Sequence, residues 1–258
     1  MKIGVVIDRL NVGGVEKVAI EQVRAFRQIG IDAVVVVLSR KAVVEGAFRD
    51  ILVGIPIEYL DDRLPRVFRL SFKIPLFSFF SFFHLSYPLL LPFMVARGEY
   101  DFLISHNTYT SFTAYTLSRW KGLPYAIFVF DPISYIINKA YPRGPIKWFS
   151  GLLTAVAHSI DRCIVNRADA VFVNGDLHYG YLSKIVSDPS KITILPLGHR
   201  CSPVVPDSRG DYILTATAWK LGKELETLLE IVRDLNGVRL VVAGRWIHPE
   251  YRNTIDGL

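Results

Sequence analysis

Short apolar runs alternate with helically spaced apolar positions along most of this chain. Residues 3–7 are aliphatic apart from Gly4 and predict a buried strand. Beyond them Val15, Val18, Ala19, Val23 and Phe26 fall close to a 3.6-residue spacing and predict a helix ending near residue 29. Residues 33–38 are Ala and β-branched or aliphatic side chains throughout, the composition of a strand buried on both faces. Further strands are expected at 57–60, 101–106, 125–130, 170–174 and 192–195, with helices near 111–120, stopped by Gly122, and 146–168. Strands separated by helices at this rhythm predict an α/β fold built on a doubly wound parallel sheet.

Pro196, Pro203, Pro206, Gly198 and Gly210 break that rhythm, and residues 196–210 read as a linker. The opening pattern then returns. A strand is expected at 212–216, a loop at 219–223, and a helix carrying Leu225, Leu228, Leu229, Val232 and Leu235 on one face. A last strand is expected at 238–243, ending at Gly244. The expected division is therefore a Rossmann-like domain over 1–198, then a linker and an incomplete second domain over 199–258. The second part is too short to close a domain of this kind, which implies a partner element or a missing continuation.

Composition narrows the partners. The chain is 51% hydrophobic and has a formal net charge of +6. Its mean hydropathy is +0.30 and its pI about 9.3. The hydrophobic fraction and hydropathy fit a large core or a membrane-facing surface, and the charge and pI fit anionic partners. The basic residues are scattered rather than gathered in a block, so nucleic acid is set aside. Cys163 and Cys201 supply neither a disulfide framework nor a metal cluster. The apolar run before Asp8 and Arg9 is too short for a secretory signal, so the cytoplasmic side is expected.

Two segments carry candidate chemistry. Between the first strand and helix lies Asn11-Val12-Gly13-Gly14, which would place backbone N–H groups at a helix N-terminus, a seat suited to an anion. An ordinary βα turn with two glycines is the other reading. A third glycine at dinucleotide spacing is missing, so a dinucleotide is not expected. The second segment is aromatic. Residues 74–96 hold no formal charge if His84 is neutral, and Phe79, Phe80 and Phe83 lie in their first half. Arg63, Arg66, Arg69 and Lys73 precede them, so the segment fits an interfacial element with cations at headgroups and rings in the acyl boundary. Internal packing against the sheet is an open alternative. A transmembrane span has the length but is opposed by Pro75, Pro88 and Pro92.

The order and spacing of these pieces resemble the glycosyltransferases of family 4 (group 1), retaining enzymes of the GT-B fold. The residues that carry the resemblance are Gly13-Gly14-Val15-Glu16-Lys17, the runs 100–106 and 168–175, 192–198, Trp219 to Lys223, and 240–244. By that resemblance two Rossmann-like domains would face each other across a cleft, the first on the acceptor side and the second binding the nucleotide-sugar. Gly13, Gly14 and Gly244 would line the donor, and Lys223 would neutralise the departing nucleotide diphosphate, whose charge grows in the transition state. No cofactor or metal is implied, because the nucleotide-diphosphate sugar is itself the donor substrate.

The sequence also departs from the family. Ala218 stands where an arginine usually precedes the lysine, and Phe130-Asp131-Pro132 stands where the family often has a histidine. Asp131 and His106, both at strand ends, are the candidate contacts to acceptor or sugar hydroxyls. The family's paired glutamates would lie beyond Leu258. The expected function is transfer of a sugar from a nucleotide-diphosphate sugar to a lipid-linked or polysaccharide acceptor at an anionic membrane surface, with Arg69, Lys73 and the phenylalanines as membrane contacts. The alternative is a catalytically silent binding or partner subunit.

Overall fold

A computed structural model describes residues 1–10, 13–40, 50–63, 100–135, 147–198, 212–217, 219, 223–235, 237–246 and 249–257. Asn11, Val12, the aromatic segment with Arg69, Lys73, Phe79, Phe80 and Phe83, most of the linker, and Ala218 lie outside the described residues. The chain divides into two compact units, Met1–Gly198 and His199–Leu258.

The first unit is a parallel sheet. In chain order its described elements are β1 (Lys2–Arg9), α1 (Gly14–Gln28), β2 (Asp32–Ser39), β3 (Ile57–Tyr59), β4 (Phe102–His106), α2 (Asn107–Lys121), β5 (Tyr125–Val129), α3 (Lys147–Arg167), β6 (Ala170–Val173), α4 (Asp176–Leu182) and β7 (Ile192–Ile194). The strands lie in the order β3-β2-β1-β4-β5-β6-β7, and every pairing is parallel. Winding starts at β1 in the middle, runs outward to β3, and resumes on the other side with β4. The junction of β1 and β4 is therefore the topological switch point, where open α/β sheets bind ligands at their carboxyl ends.

Burial explains the strand composition. Val5 pairs with Val35 on one side and Ile104 on the other. Val5, Val6, Val34, Val35, Val36 and Val37 are all nearly inaccessible. Alternate side chains feed two cores. One takes Ile3, Val5, Ile7, Val35 and Val37 with Ala19, Ile20 and Val23 of α1. The other takes Val6, Val36, Leu103 and Ile127 with Ala114 and Leu117 of α2 and Ile164 and Val165 of α3. Helices thus cover both faces, as a doubly wound sheet requires.

Helix ends shift some expectations. The first helix begins at Gly14 itself, with Gly13 as its N-cap, so Gly14 is helical rather than loop. The helix expected near 111–120 begins at Asn107, directly on the end of β4. Gly122 closes it in the left-handed region, its N–H bonded to the Ser118 carbonyl at 2.9 Å. The short helix α4 has too few turns to show a period in the sequence.

The second unit contains β8 (Tyr212–Ala216), α5 (Leu225–Arg233), β9 (Arg239–Ala243) and α6 (Pro249–Asp256). β8 and β9 pair in parallel, and Trp219, Leu225 and Tyr251 form a small buried cluster. Among the described residues of the whole chain, no helix is long and apolar enough to cross a membrane.

Candidate functional site

The carboxyl ends of β4 and β5 bring together the residues that matter most. His106 ends β4 and is 1% exposed. Its ring stacks with Phe128 at 5.8 Å and Phe130 at 5.7 Å between centroids. Nε2 lies 2.9 Å from Gln22 Oε1, an oxygen that can only accept, so the proton is on Nε2. Nδ1 then offers a buried lone pair that has no partner among the described residues. Burial pushes the ring down to a pKa of about 3, so His106 is neutral at any physiological pH. Its placement is that of a wall ring, with neither charge nor open surface to offer.

Asn107 is the next residue and holds an unusual backbone, with φ +69° in a non-glycine residue. Its Oδ1 accepts from the backbone N–H groups of Phe130 at 3.1 Å and Asp131 at 3.2 Å. Thr108 Oγ1 accepts from Ile133 N at 3.0 Å. Asp161 of α3, fully buried, accepts from Ile133 N at 3.2 Å, Ser134 N at 2.9 Å and Ser134 Oγ at 2.7 Å. The segment after β5 is thereby tied down from two helices.

Asp131 sits inside this clamp with its side chain 52% exposed. His178 of α4 places Nε2 4.0 Å from Asp131 Oδ1, an ion-pair distance when the ring is protonated and too long for a hydrogen bond. A fixed backbone beneath an open carboxylate suits the binding of hydroxyl groups. His178 was not singled out from the sequence. It is a lone histidine in a helix of seven residues, and only the sheet order brings β6 and its helix beside Asp131.

At the end of β1 the structure alters the anion-seat expectation. Gly13 is extended, with φ −154°, so left-handed freedom is not the reason for glycine there. A Cβ on Gly13 would meet the Glu16 carboxylate, the far end of a flexible side chain that folds back over the N-cap from the third helical position and could swing aside. A glutamate at this position complements the N-terminal dipole in the manner of a capping box. The negative charge standing at this helix terminus is the chain's own. Asp8, on the same strand end, adds another carboxyl, which burial pushes up from its ordinary value while Arg9 pulls it down.

In the second unit Gly244 follows β9 with φ +122°, and a Cβ there would strike the Thr217 carbonyl oxygen. Trp219 N bonds to the Arg245 carbonyl and Trp219 Nε1 to the Ala243 carbonyl, both at 2.8 Å, so the two strands stay zipped past their ends. Lys223 is exposed, two residues before α5. The α5 N-terminus is partly filled, because Leu225 N bonds to Tyr251 Oη at 3.2 Å. Gly244 and Lys223 are thus placed at the carboxyl-end side of this unit's sheet. Among the described residues no group of three or more His, Cys, Asp or Glu is placed to hold a metal.

Comparison with known families places this geometry. The glycosyl transferase 4-like domain matches residues 13–198, well over half of the chain. The chain belongs to that family. Solved structures agree on the fold. The Anabaena protein HepE in complex with UDP and glucose superposes with a TM-score of 0.63 at 14% identity, over 100% of this chain and 65% of that one. Sucrose-phosphate synthase from Thermosynechococcus elongatus gives 0.68 at 14% identity, over 99% and 66%. The lipopolysaccharide outer core galactosyltransferase WaaB, in its apo form, gives 0.59 at 15%, over 98% and 63%. Comparison by sequence with curated proteins gives no match. The fold class is GT-B-like α/β, with a Rossmann-like first unit and part of a second, and the chain spans 65% of the length of HepE.

Proposed function

We propose that this family member is a retaining glycosyltransferase that moves a sugar from a nucleotide-diphosphate sugar to a lipid-linked or polysaccharide acceptor, working peripherally at the cytoplasmic face of a membrane. The observation that carries the reading is Asp131: an open carboxylate on a backbone fixed by Asn107 and Asp161, at the carboxyl edge of the family's sheet. In this reading the first unit serves the acceptor. Asp131 accepts from acceptor or sugar hydroxyls, His106 and Phe130 form an apolar wall beside it, and Gly13 and Gly14 let the chain come close to the ligand. Glu16 occupies the α1 terminus, so the diphosphate charge is assigned to Lys223 of the second unit, with Gly244 admitting the ligand near the backbone. The departing phosphate gains negative charge, and a fixed ammonium stabilises that gain. HepE was crystallised with UDP and glucose, which makes UDP-glucose the first donor to try.

A second reading is favoured by the same Glu16. A carboxylate at the helix terminus that would face the donor, with Phe130 in place of the family's histidine, suits a catalytically silent binding or partner module. Calorimetry of the chain with UDP-glucose and other nucleotide-diphosphate sugars separates the two. Binding at millimolar affinity or tighter that weakens in Lys223→Ala supports the enzyme, whereas no heat across the donors supports the silent module.

A further inference from the structure

We propose that the outer face of α2 and α3 is the surface by which this chain docks on an anionic lipid bilayer. The inference extends the membrane-acceptor reading above by naming the surface that would bring the protein to its acceptor. Between the two helices runs an open groove of about 410 Å³, floored by Phe112, Tyr115, Val156, Ile160 and Ile164. Its polar atoms are already occupied. Ser159 Oγ donates to the Ala155 carbonyl at 3.0 Å, and Arg167 donates to Tyr115 Oη while lying over that ring. Along α3 Leu152 is 65% exposed and Val156 51%, and Trp120 near the C-terminal end of α2 is 53% exposed.

Charge selects the occupant. Arg119, Arg162 and Arg167 lie toward the C-terminal ends of the two helices, and the only carboxylate in either helix is Asp161. Asp161 is fully buried and spent on the Ile133 and Ser134 donors, so it offers nothing to the outside. The face therefore combines open aliphatic groups, an exposed tryptophan nearby and arginines that no outward carboxylate of the two helices neutralises. Acidic headgroups above an acyl boundary reward that combination, with the tryptophan at the interface between them. A second copy of the same face would set cations against cations.

The test is flotation of the full chain with vesicles of phosphatidylcholine alone or of equal parts phosphatidylcholine and phosphatidylglycerol. The wild type is expected to float with the mixed vesicles and not with the neutral ones. Arg119→Gln with Arg162→Gln should weaken partitioning about fivefold per cation removed. Leu152→Ser with Val156→Ser should weaken it at least tenfold, and circular dichroism should match wild type because both side chains are more than half exposed. If the serine pair does not fold, the glutamine pair decides. Failure of the wild type to float overturns the proposal, as does wild-type binding by the variants. So does loss of binding only in Phe79→Ala with Phe80→Ala and Phe83→Ala, or light scattering that shows the face consumed in a dimer. Donor calorimetry is read separately, so a chain that floats but binds no nucleotide-sugar keeps this surface and loses the enzymatic reading.

Discussion

Asn107 Oδ1 accepts the backbone N–H of Asp131 at 3.2 Å across the ends of two neighbouring strands. The same oxygen takes the Phe130 N–H, so one amide fixes the turn that follows β5. It does so from φ +69°, a backbone that asparagine tolerates better than most residues. Two separable contributions are involved, the hydrogen bonds and the backbone strain. Asn107→Ala forfeits the bonds and worsens the strain, and should cost about 2–3 kcal/mol. Asn107→Gly forfeits the bonds but relieves the strain, and should cost about 1 kcal/mol less than alanine. Urea denaturation of both variants checks the order, and alanine at least as stable as glycine would count against the assignment.

Asp131 itself should behave in the opposite way. Its backbone is held but its carboxylate is half open, so Asp131→Asn should change stability by less than about 0.5 kcal/mol. Transfer should suffer instead. Losing a charged acceptor of hydroxyl hydrogen bonds should lower kcat/KM between tenfold and a hundredfold, on the order of 1.5–3 kcal/mol. His178→Asn tests the neighbouring imidazole, with a smaller loss expected because the ring only flanks the carboxylate. Unchanged transfer in Asp131→Asn would remove this residue from the site.

The sheet was legible because its strands are buried on both faces. Runs such as Val34 to Val37 read as strands buried on both faces, and the parallel winding follows from the rhythm of the connections. The candidate site was legible only where a residue sits on a strand end, as His106 and Asp131 do. Even there sequence could not tell an open position from a closed one, and His106 proved to be walled in by Phe128, Phe130 and Gln22. Asn107 and Asp161 left no local signal at all. Their partners lie more than 20 residues away, and an aspartate in mid-helix reads as a solvated charge until the fold closes over it. Glu16 was visible as part of a motif, but its return over Gly13 depends on a rotamer that no spacing encodes.

His106 gives the first unit a built-in acid sensitivity. Its folded pKa, about 3, lies below its ordinary value of 6.5, so the unfolded chain binds more protons at intermediate pH. Stability from this residue is fully present above pH 6.5 and is lost as pH falls from there toward 3. The slope should approach about 1.4 kcal/mol per pH unit in that window. His106→Phe keeps a ring between Phe128 and Phe130 but cannot titrate. Denaturation at pH 7 and pH 5 should therefore show the wild type losing more stability than the variant. Equal losses would mean that the ring is not held neutral by burial.

Gly244 and Gly14 are a matched pair of glycines with opposite expectations. Gly14 opens α1 with nothing within 4 Å of the position a Cβ would take, and it sits in ordinary helical backbone. Gly14→Ala should raise stability by about 0.4–1 kcal/mol, because alanine has less freedom to lose on folding. Gly244 combines φ +122° with a Cβ that would overlap the Thr217 carbonyl, a backbone atom that cannot swing aside. Relieving the overlap would pull apart the link by which Thr217 N reaches the Ala243 carbonyl at 3.3 Å. Gly244→Ala should therefore cost at least about 3 kcal/mol, the sum of strain and a broken contact. The loss should be local to the second unit and visible as faster proteolysis after residue 211. The open space beside Gly14 imposes no such constraint, so the two variants should move Tm in opposite directions. A tolerated Gly244→Ala would show that β8 and β9 are not zipped at their carboxyl ends, and with it the placement of Lys223 beside them would fall.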